Sequence, residues 1–131
     1  MLVRPRIVGR SISRRISAWF RGSSDGTLFD FEGIQLTMRS EELSITRAGT
    51  PSTYTTSLNA GDGAWHAVAL QVDASVTPLS IEVLLDKNAP YQSPSSLDWT
   101  VSTSAYLAIG GTVDPNARTN DFDEVSFFLY E

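Results

Sequence analysis

The sequence predicts an all-β protein, an antiparallel β-sandwich, on three observations. Apolar and polar residues alternate with period two along most of the chain, as in strands that bury one face. Turn residues interrupt the alternation about every ten residues, the rhythm of sandwiches built from many short strands. No stretch carries the roughly 3.6-residue period of an amphipathic helix.

The strands follow in order. Ile12, Arg14, Ile16, Ala18 and Phe20 alternate with Ser11, Ser13, Arg15, Ser17 and Trp19, which predicts a long first strand. Thr27 to Phe31 reads as a short strand, turned by Glu32 and Gly33. Ile34, Leu36 and Met38 alternate with Gln35, Thr37 and Arg39, and Ser40–Glu41 turns the chain toward Leu43 and Ile45. Ala48 to Pro51 reads as a loop, and the next strand begins at Trp65. There Ala67, Ala69 and Gln71 share one face, and His66, Val68, Leu70 and Val72 share the other. Ser80 to Asp86 is bounded by Pro78 and the Lys87–Asn88 turn, and the Pro- and Ser-bearing run from Asn88 to Ser96 is a loop. Tyr106 to Ile109 and Glu124 to Tyr130 complete the set. Trp19, Trp65, Leu84, Ile109 and Val125 are expected between the sheets.

The 131 residues make one domain, large enough to bury a core without staples. With no cysteine, disulfides and thiolate metal sites are excluded. No apolar run approaches the roughly 18 residues of a membrane span. Charge is unevenly placed. Six of the ten basic residues, Arg4, Arg6, Arg10, Arg14, Arg15 and Arg21, precede the first acid, Asp25. The rest of the chain holds four basic against fifteen acidic residues. Residues 1–15 therefore read as a basic arm or edge strand, and residues 16–131 as the sandwich. An arginine- and serine-rich start resembles a transit peptide, but it runs unbroken into a strand pattern. Nucleic acid is a poor partner, because no lysine or aromatic is interleaved before Trp19 and the body is acidic. The expectation is that Arg4, Arg6, Arg10, Arg14 and Arg15 contact acidic protein, either this chain's own or a neighbouring subunit.

Five stretches are recognisable in order: Ile16–Phe20 (ISAWF), Asp62–Leu70 (DGAWHAVAL), Ser80–Asp86 (SIEVLLD), Leu107–Gly111 (LAIGG) and Phe122–Phe128 (FDEVSFF). Together they resemble the laminin-G-like, concanavalin A-like jelly-roll family. The resemblance implies two stacked antiparallel sheets, one convex and one concave, with ligands on the concave face or at a loop rim. Lys87 and Asn120 stand where the family pattern has glycine.

The chemistry of the residues points away from catalysis. Asp62–Gly63 supplies a tight turn, and no serine or cysteine stands in a nucleophile context near His66, the one histidine. Glucanases of this fold carry E-x-D-x-x-E on one strand, and the nearest stretch is Asp121 to Ser126. Ser126 replaces the last carboxylate, and strict alternation turns Glu124 away from Asp121 and Asp123, so no enzyme is expected. No cofactor is expected either. Calcium is a candidate at Asp114, Asn116, Asn120 and Asp121, whose oxygens are hard ligands in one loop. Tyr54, Tyr91, Trp99 and Tyr106, in or near loops, are the candidate stacking residues for a glycan.

Two functions remain. The first is a non-enzymatic structural subunit of a larger assembly, such as a decoration, fibre or tail-associated protein of a virus particle. The expectation rests on a short chain that starts at its own Met1 without an export signal and pairs a basic arm with an acidic body. The alternative is a lectin-like module that binds carbohydrate or protein.

Overall fold

In the computed structural model the chain is described at residues 2–3, 13–23, 25–31, 33–47, 53–76, 78–97, 99, 107–109 and 121–130, with backbone alone at 2–3, 107–108, 121 and 127–130. Every described strand pairs antiparallel, and no helix occurs among the described residues. A six-stranded sheet runs β1 (Leu2–Val3), β10 (Leu107–Ile109), β3 (Gly26–Phe31), β4 (Ile34–Arg39), β5 (Glu42–Arg47), β6 (Thr53–Asn59). A five-stranded sheet runs β11 (Asp121–Tyr130), β2 (Ser13–Arg21), β7 (His66–Asp73), β8 (Ser80–Leu85), β9 (Tyr91–Gln92).

Alternation decides which side chains meet. Ile16, Ala18 and Phe20 of β2, Val68, Leu70 and Val72 of β7, and Ile81, Val83 and Leu85 of β8 turn one face of the five-stranded sheet inward. They meet Phe29, Phe31, Ile34, Leu36, Met38, Leu43 and Ile45 of the six-stranded sheet in one continuous core. Burying each such side chain is worth about 1.5–3 kcal/mol relative to exposure. Ile109 and Val125 pack on this core as the sequence leads one to expect.

Turn chemistry fixes the meander of β3, β4 and β5. Gly33 adopts a φ of 88° between β3 and β4, and its N–H donates to Asp30 Oδ1 at 3.0 Å. Between β4 and β5 the two turn residues, Ser40 and Glu41, both lie in the left-handed region, at 49° and 70°. That is the geometry a two-residue hairpin needs to match strand twist.

The structure departs from the sequence pattern at several places. Trp19 and Trp65 are not buried between the sheets; each is 42% exposed. The aliphatic stripes of β2 and β7 face inward at even positions, so odd positions must face out whatever their size. Leu84 follows the same rule and is half-buried on the outward face, beside the inward Val83 and Leu85. β6 has no counterpart among the expected strands, since its Thr-Tyr-Thr-Thr-Ser-Leu-Asn run carries few aliphatic residues. It is held by pairing with β5, and buried Thr56 donates its hydroxyl to the Leu43 carbonyl at 2.8 Å. Two residues of the Asn88–Ser96 loop, Tyr91 and Gln92, form the short edge strand β9.

Within the basic segment, Leu2–Val3 forms the edge strand β1, and Arg14 and Arg15 lie in β2, the long first strand that alternation predicts. Arg14 is 4% exposed and points inward, with its guanidinium carbon 5.0 Å from the Phe31 ring centroid. Its stem covers apolar surface and its cation lies over an aromatic face, so its side chain is closed to an outside partner.

Candidate functional site

The outward faces of the two sheets differ. On the six-stranded sheet, Thr37, Ser44 and Thr46 point away from the core yet are buried. Thr37 donates to the Ser44 carbonyl at 3.3 Å, and Thr46 to Gln35 Oε1 at 3.2 Å, so this polar face satisfies itself. The five-stranded sheet carries a depression of about 370 Å³ on its outward face. Register explains its floor. Trp19 pairs with Ala67, Ser17 with both Ala69 and Ser126, and Ala69 with Leu84. The alanines leave space where neighbouring strands carry larger groups, and Arg15, Trp19, Asp86 and Glu124 stand among the lining.

A bulge completes the wall. Between the pairs Asp123–Trp19 and Ser126–Ser17, β11 carries one more residue than β2. Glu124 takes a φ of 49°, its N–H donates to Asp123 Oδ1 at 2.9 Å, and Val125 packs inward. Strict alternation would turn Glu124 away from the face of Asp123. The bulge instead brings Glu124 to the depression alongside Ser126. The sequence carries no signal for this beyond a polar pair ahead of Val125.

Beside the depression, the start of β7 is clamped. His66, with its side chain 14% exposed, places Nδ1 2.6 Å from Asp86 Oδ2 and Nε2 2.7 Å from Asp62 Oδ1. Asp86, at a φ of 51° just after β8, also accepts the Ala67 N–H at 2.8 Å through its other oxygen. Asp62 Oδ1 accepts the Ala64 N–H at 2.9 Å, an Asx turn that shapes the loop leading to Trp65. Burial alone would disfavour the imidazolium, but hydrogen bonds to Asp86 and Asp62 outweigh it and raise the His66 pKa. Asp62 is held below the usual carboxylate range by the Ala64 N–H and by His66. The ring is engaged at both nitrogens by carboxylates, which clamp it between β7, the turn after β8 and the loop before Trp65. Trp65 sits on the outward face under Arg21, whose guanidinium carbon is 4.9 Å from the ring centroid.

The stacking residues expected from the sequence lie elsewhere. Trp99 is 6% exposed and meets Tyr54 edge-on at 5.4 Å. Tyr54 and Tyr91 are partly buried against the core, and burial, then the neighbouring Tyr54, raises the Tyr91 pKa. These three aromatics belong to the core and its margin, because the outermost strands β6 and β9 leave apolar surface that they cover. Tyr106 and the proposed calcium ligands Asp114, Asn116 and Asn120 lie outside the described residues, and Asp121 is described by its backbone as the start of β11. Among the described residues no three His, Cys, Asp or Glu side chains are grouped to hold a metal ion. Arg4, Arg6 and Arg10 likewise fall outside, and Arg15 is half-buried in the depression wall.

The site thus combines one exposed indole, two hydroxyls, two carboxylates and a guanidinium over a small-residue floor. Reading strand parity outward from Ile16, Ala18 and Phe20 would have found Trp19, and from Val68, Leu70 and Val72 it would have found Trp65. No known protein family matches the chain, and no curated protein shows significant similarity to it.

Proposed function

We propose that the protein is a non-enzymatic binding module that takes a saccharide on the outward face of its five-stranded sheet. The observation that carries the reading is the pair of exposed indoles, Trp19 and Trp65, on one face beside a depression. A sugar ring offers an apolar C–H face and a rim of hydroxyls. An indole matches the first, and Arg15, Ser17, Glu124 and Ser126 match the second. The strand order and the five ordered motifs support a laminin-G-like, concanavalin A-like jelly roll, in which this face would be the concave one. The absent third carboxylate, Ser126 in place of glutamate, supports a binding role over hydrolysis.

A second reading, a structural subunit of a larger assembly, is favoured by one observation: six arginines precede the first acid of an otherwise acidic chain. Glycan-array binding of wild type and Trp19→Ala decides between them. The first reading expects selective binding lost in the variant. Silence across neutral and acidic saccharides, with self-association that fades as salt is raised, would favour the second.

A further inference from the structure

We propose that the binding face is gated by protonation of His66, which latches the loop carrying Trp65 when it is an imidazolium and releases it when neutral. This rests on the reading above, since it supplies that face with a regulator.

Donors and acceptors must match at both ring nitrogens. Asp86 Oδ2 lies 2.6 Å from Nδ1 and Asp62 Oδ1 lies 2.7 Å from Nε2. Ionised carboxylates only accept, so both contacts hold only if both ring nitrogens carry hydrogen. A neutral imidazole has one N–H and one lone pair, and one of its two contacts must then oppose lone pair to lone pair.

The two contacts are not equal. Asp86 is fixed three times over: by the His66 ring, by the Ala67 N–H at 2.8 Å, and by its own N–H on the Ala67 carbonyl at 2.8 Å. Asp62 is 59% exposed, and besides the ring its carboxylate accepts the local Ala64 N–H. The Asp62 contact is therefore the one that opens. The loop it leaves runs from Gly61, bonded to the Glu41 carbonyl at 3.2 Å, through Gly63, bonded to the Gly22 carbonyl at a long 3.3 Å, to Trp65. Losing the Asp62 anchor leaves the segment just ahead of Trp65 tied to the sheet by that long bond and by the Arg21 stack on the indole, so the indole is held more weakly.

The surrounding charges are few. Phe20, paired with His66 on β2, is uncharged, and its neighbour Arg21 lies over Trp65. Lys87 follows Asp86 in an exposed turn, and Glu41 meets the loop at Gly61 through its carbonyl and the stem of its side chain. The charges felt by the ring are those of Asp62 and Asp86. Because the folded-state pKa lies above the ordinary value of about 6.5, the latch stabilises below that pH and is lost as pH rises through the folded value. Asp62, with its pKa lowered, sets the acid limit: its share is lost as pH falls through its own folded value.

His66 is the one histidine of the chain, so its ring protons can be followed individually by NMR. The expected titration midpoint lies above about 6.5, and amide-exchange protection of Gly63 and Ala64 falls across it. Asp62→Asn should lower the midpoint and flatten that change, and His66→Gln should remove the pH dependence. On the glycan array, wild-type affinity should weaken about threefold across the same interval. A midpoint at or below about 6.5, or protection indifferent to it, overturns the latch without reference to any ligand. If the loop opens but array affinity stays flat while Trp19→Ala still abolishes it, gating fails and the binding reading stands. Absence of binding at every pH removes the binding reading and the gating with it.

Discussion

Replacing Gly61 with alanine should be among the costliest small changes in the molecule. A Cβ there would sit 2.6 Å from the Cα of Glu41 and 2.9 Å from its Cβ. That is about 1 Å inside ordinary carbon–carbon separation. A flexible side chain swings clear of such a clash, but the backbone of a two-residue turn does not. Glu41 holds a φ of 70°, and its carbonyl accepts the N–H of Ala60 at 2.9 Å and of Gly61 at 3.2 Å. Moving the segments apart by ~1 Å takes the longer bond out of range. Overpacking costs about 1–3 kcal/mol, and a lost backbone bond about 1 kcal/mol. The sum, about 2–4 kcal/mol, is a large share of the roughly 5–15 kcal/mol typical of a domain. Equilibrium urea unfolding should show a lower midpoint with the slope unchanged. Gly63 is the internal control: its φ is 82° with no atom within 4 Å of an added Cβ, so alanine meets only backbone strain. That strain is about 1–2 kcal/mol. Glu41→Gly in the Gly61→Ala background relieves the clash with the Glu41 side chain and leaves the clash with its backbone, so it should restore little. Gly61→Ala unfolding within about 0.5 kcal/mol of wild type, or full restoration by Glu41→Gly, would refute a backbone clash as the cause.

Phe20→Ala, at a position that is 0% exposed and 5.5 Å from the Phe122 ring, should cost about 3–5 kcal/mol. Its neighbour Trp19→Ala, on the outward face, should cost below about 1 kcal/mol in the same unfolding assay, and the reverse order would mean that β2 is turned over. Asp73 accepts from the Ser75 hydroxyl at 2.5 Å, the Ser13 hydroxyl at 2.8 Å and the Ser75 N–H at 3.0 Å, which hold its pKa below the usual range. The stability it contributes is present above its ordinary value of about 3.9 and is lost as pH falls through the folded value. Asp73→Asn should therefore be less stable than wild type near neutral pH, with the gap closing in acid thermal melts; a gap that widens would contradict the assignment.

Parity was the most legible feature of the sequence, and size the most misleading. Ile34, Leu36, Met38, Leu43 and Ile45 announce two strands and their buried face by alternation alone. The same rule places Trp19 and Trp65 outside, but a large aromatic invites burial, so size and parity point opposite ways at these two positions. β6 is not legible in the sequence because its pairing with β5, not its own apolar content, makes it a strand. Glu124 could not be read correctly, since a bulge depends on how two strands about 100 residues apart are matched. Contact between His66 and Asp86, 20 residues apart, is likewise invisible until β7 and β8 are in register, whereas Asp62 with His66 sat in plain view within one motif. The candidate face was thus present in the sequence as residues and absent as an arrangement.

The position of β2 between β7 and β11 has a consequence for how the protein reaches its fold. The meander of β3, β4 and β5 closes through short turns, so each pairing forms between near neighbours. The β2–β11 seam joins Ser13 to Tyr130 and Phe20 to Phe122, so roughly 100 residues must be looped before one side of β2 is covered. Closing such a loop costs about 4 kcal/mol of chain entropy against the few tenths that separate one short turn from another. Until then the edge of β2 toward β11 stays open, with Ile16, Ala18 and Phe20 ready to pair with any extended segment nearby. On a ribosome β2 emerges long before its partner β11. One side of β2 therefore stays uncovered until the chain is nearly complete, and a chaperone or a slow, dilute refolding step protects it.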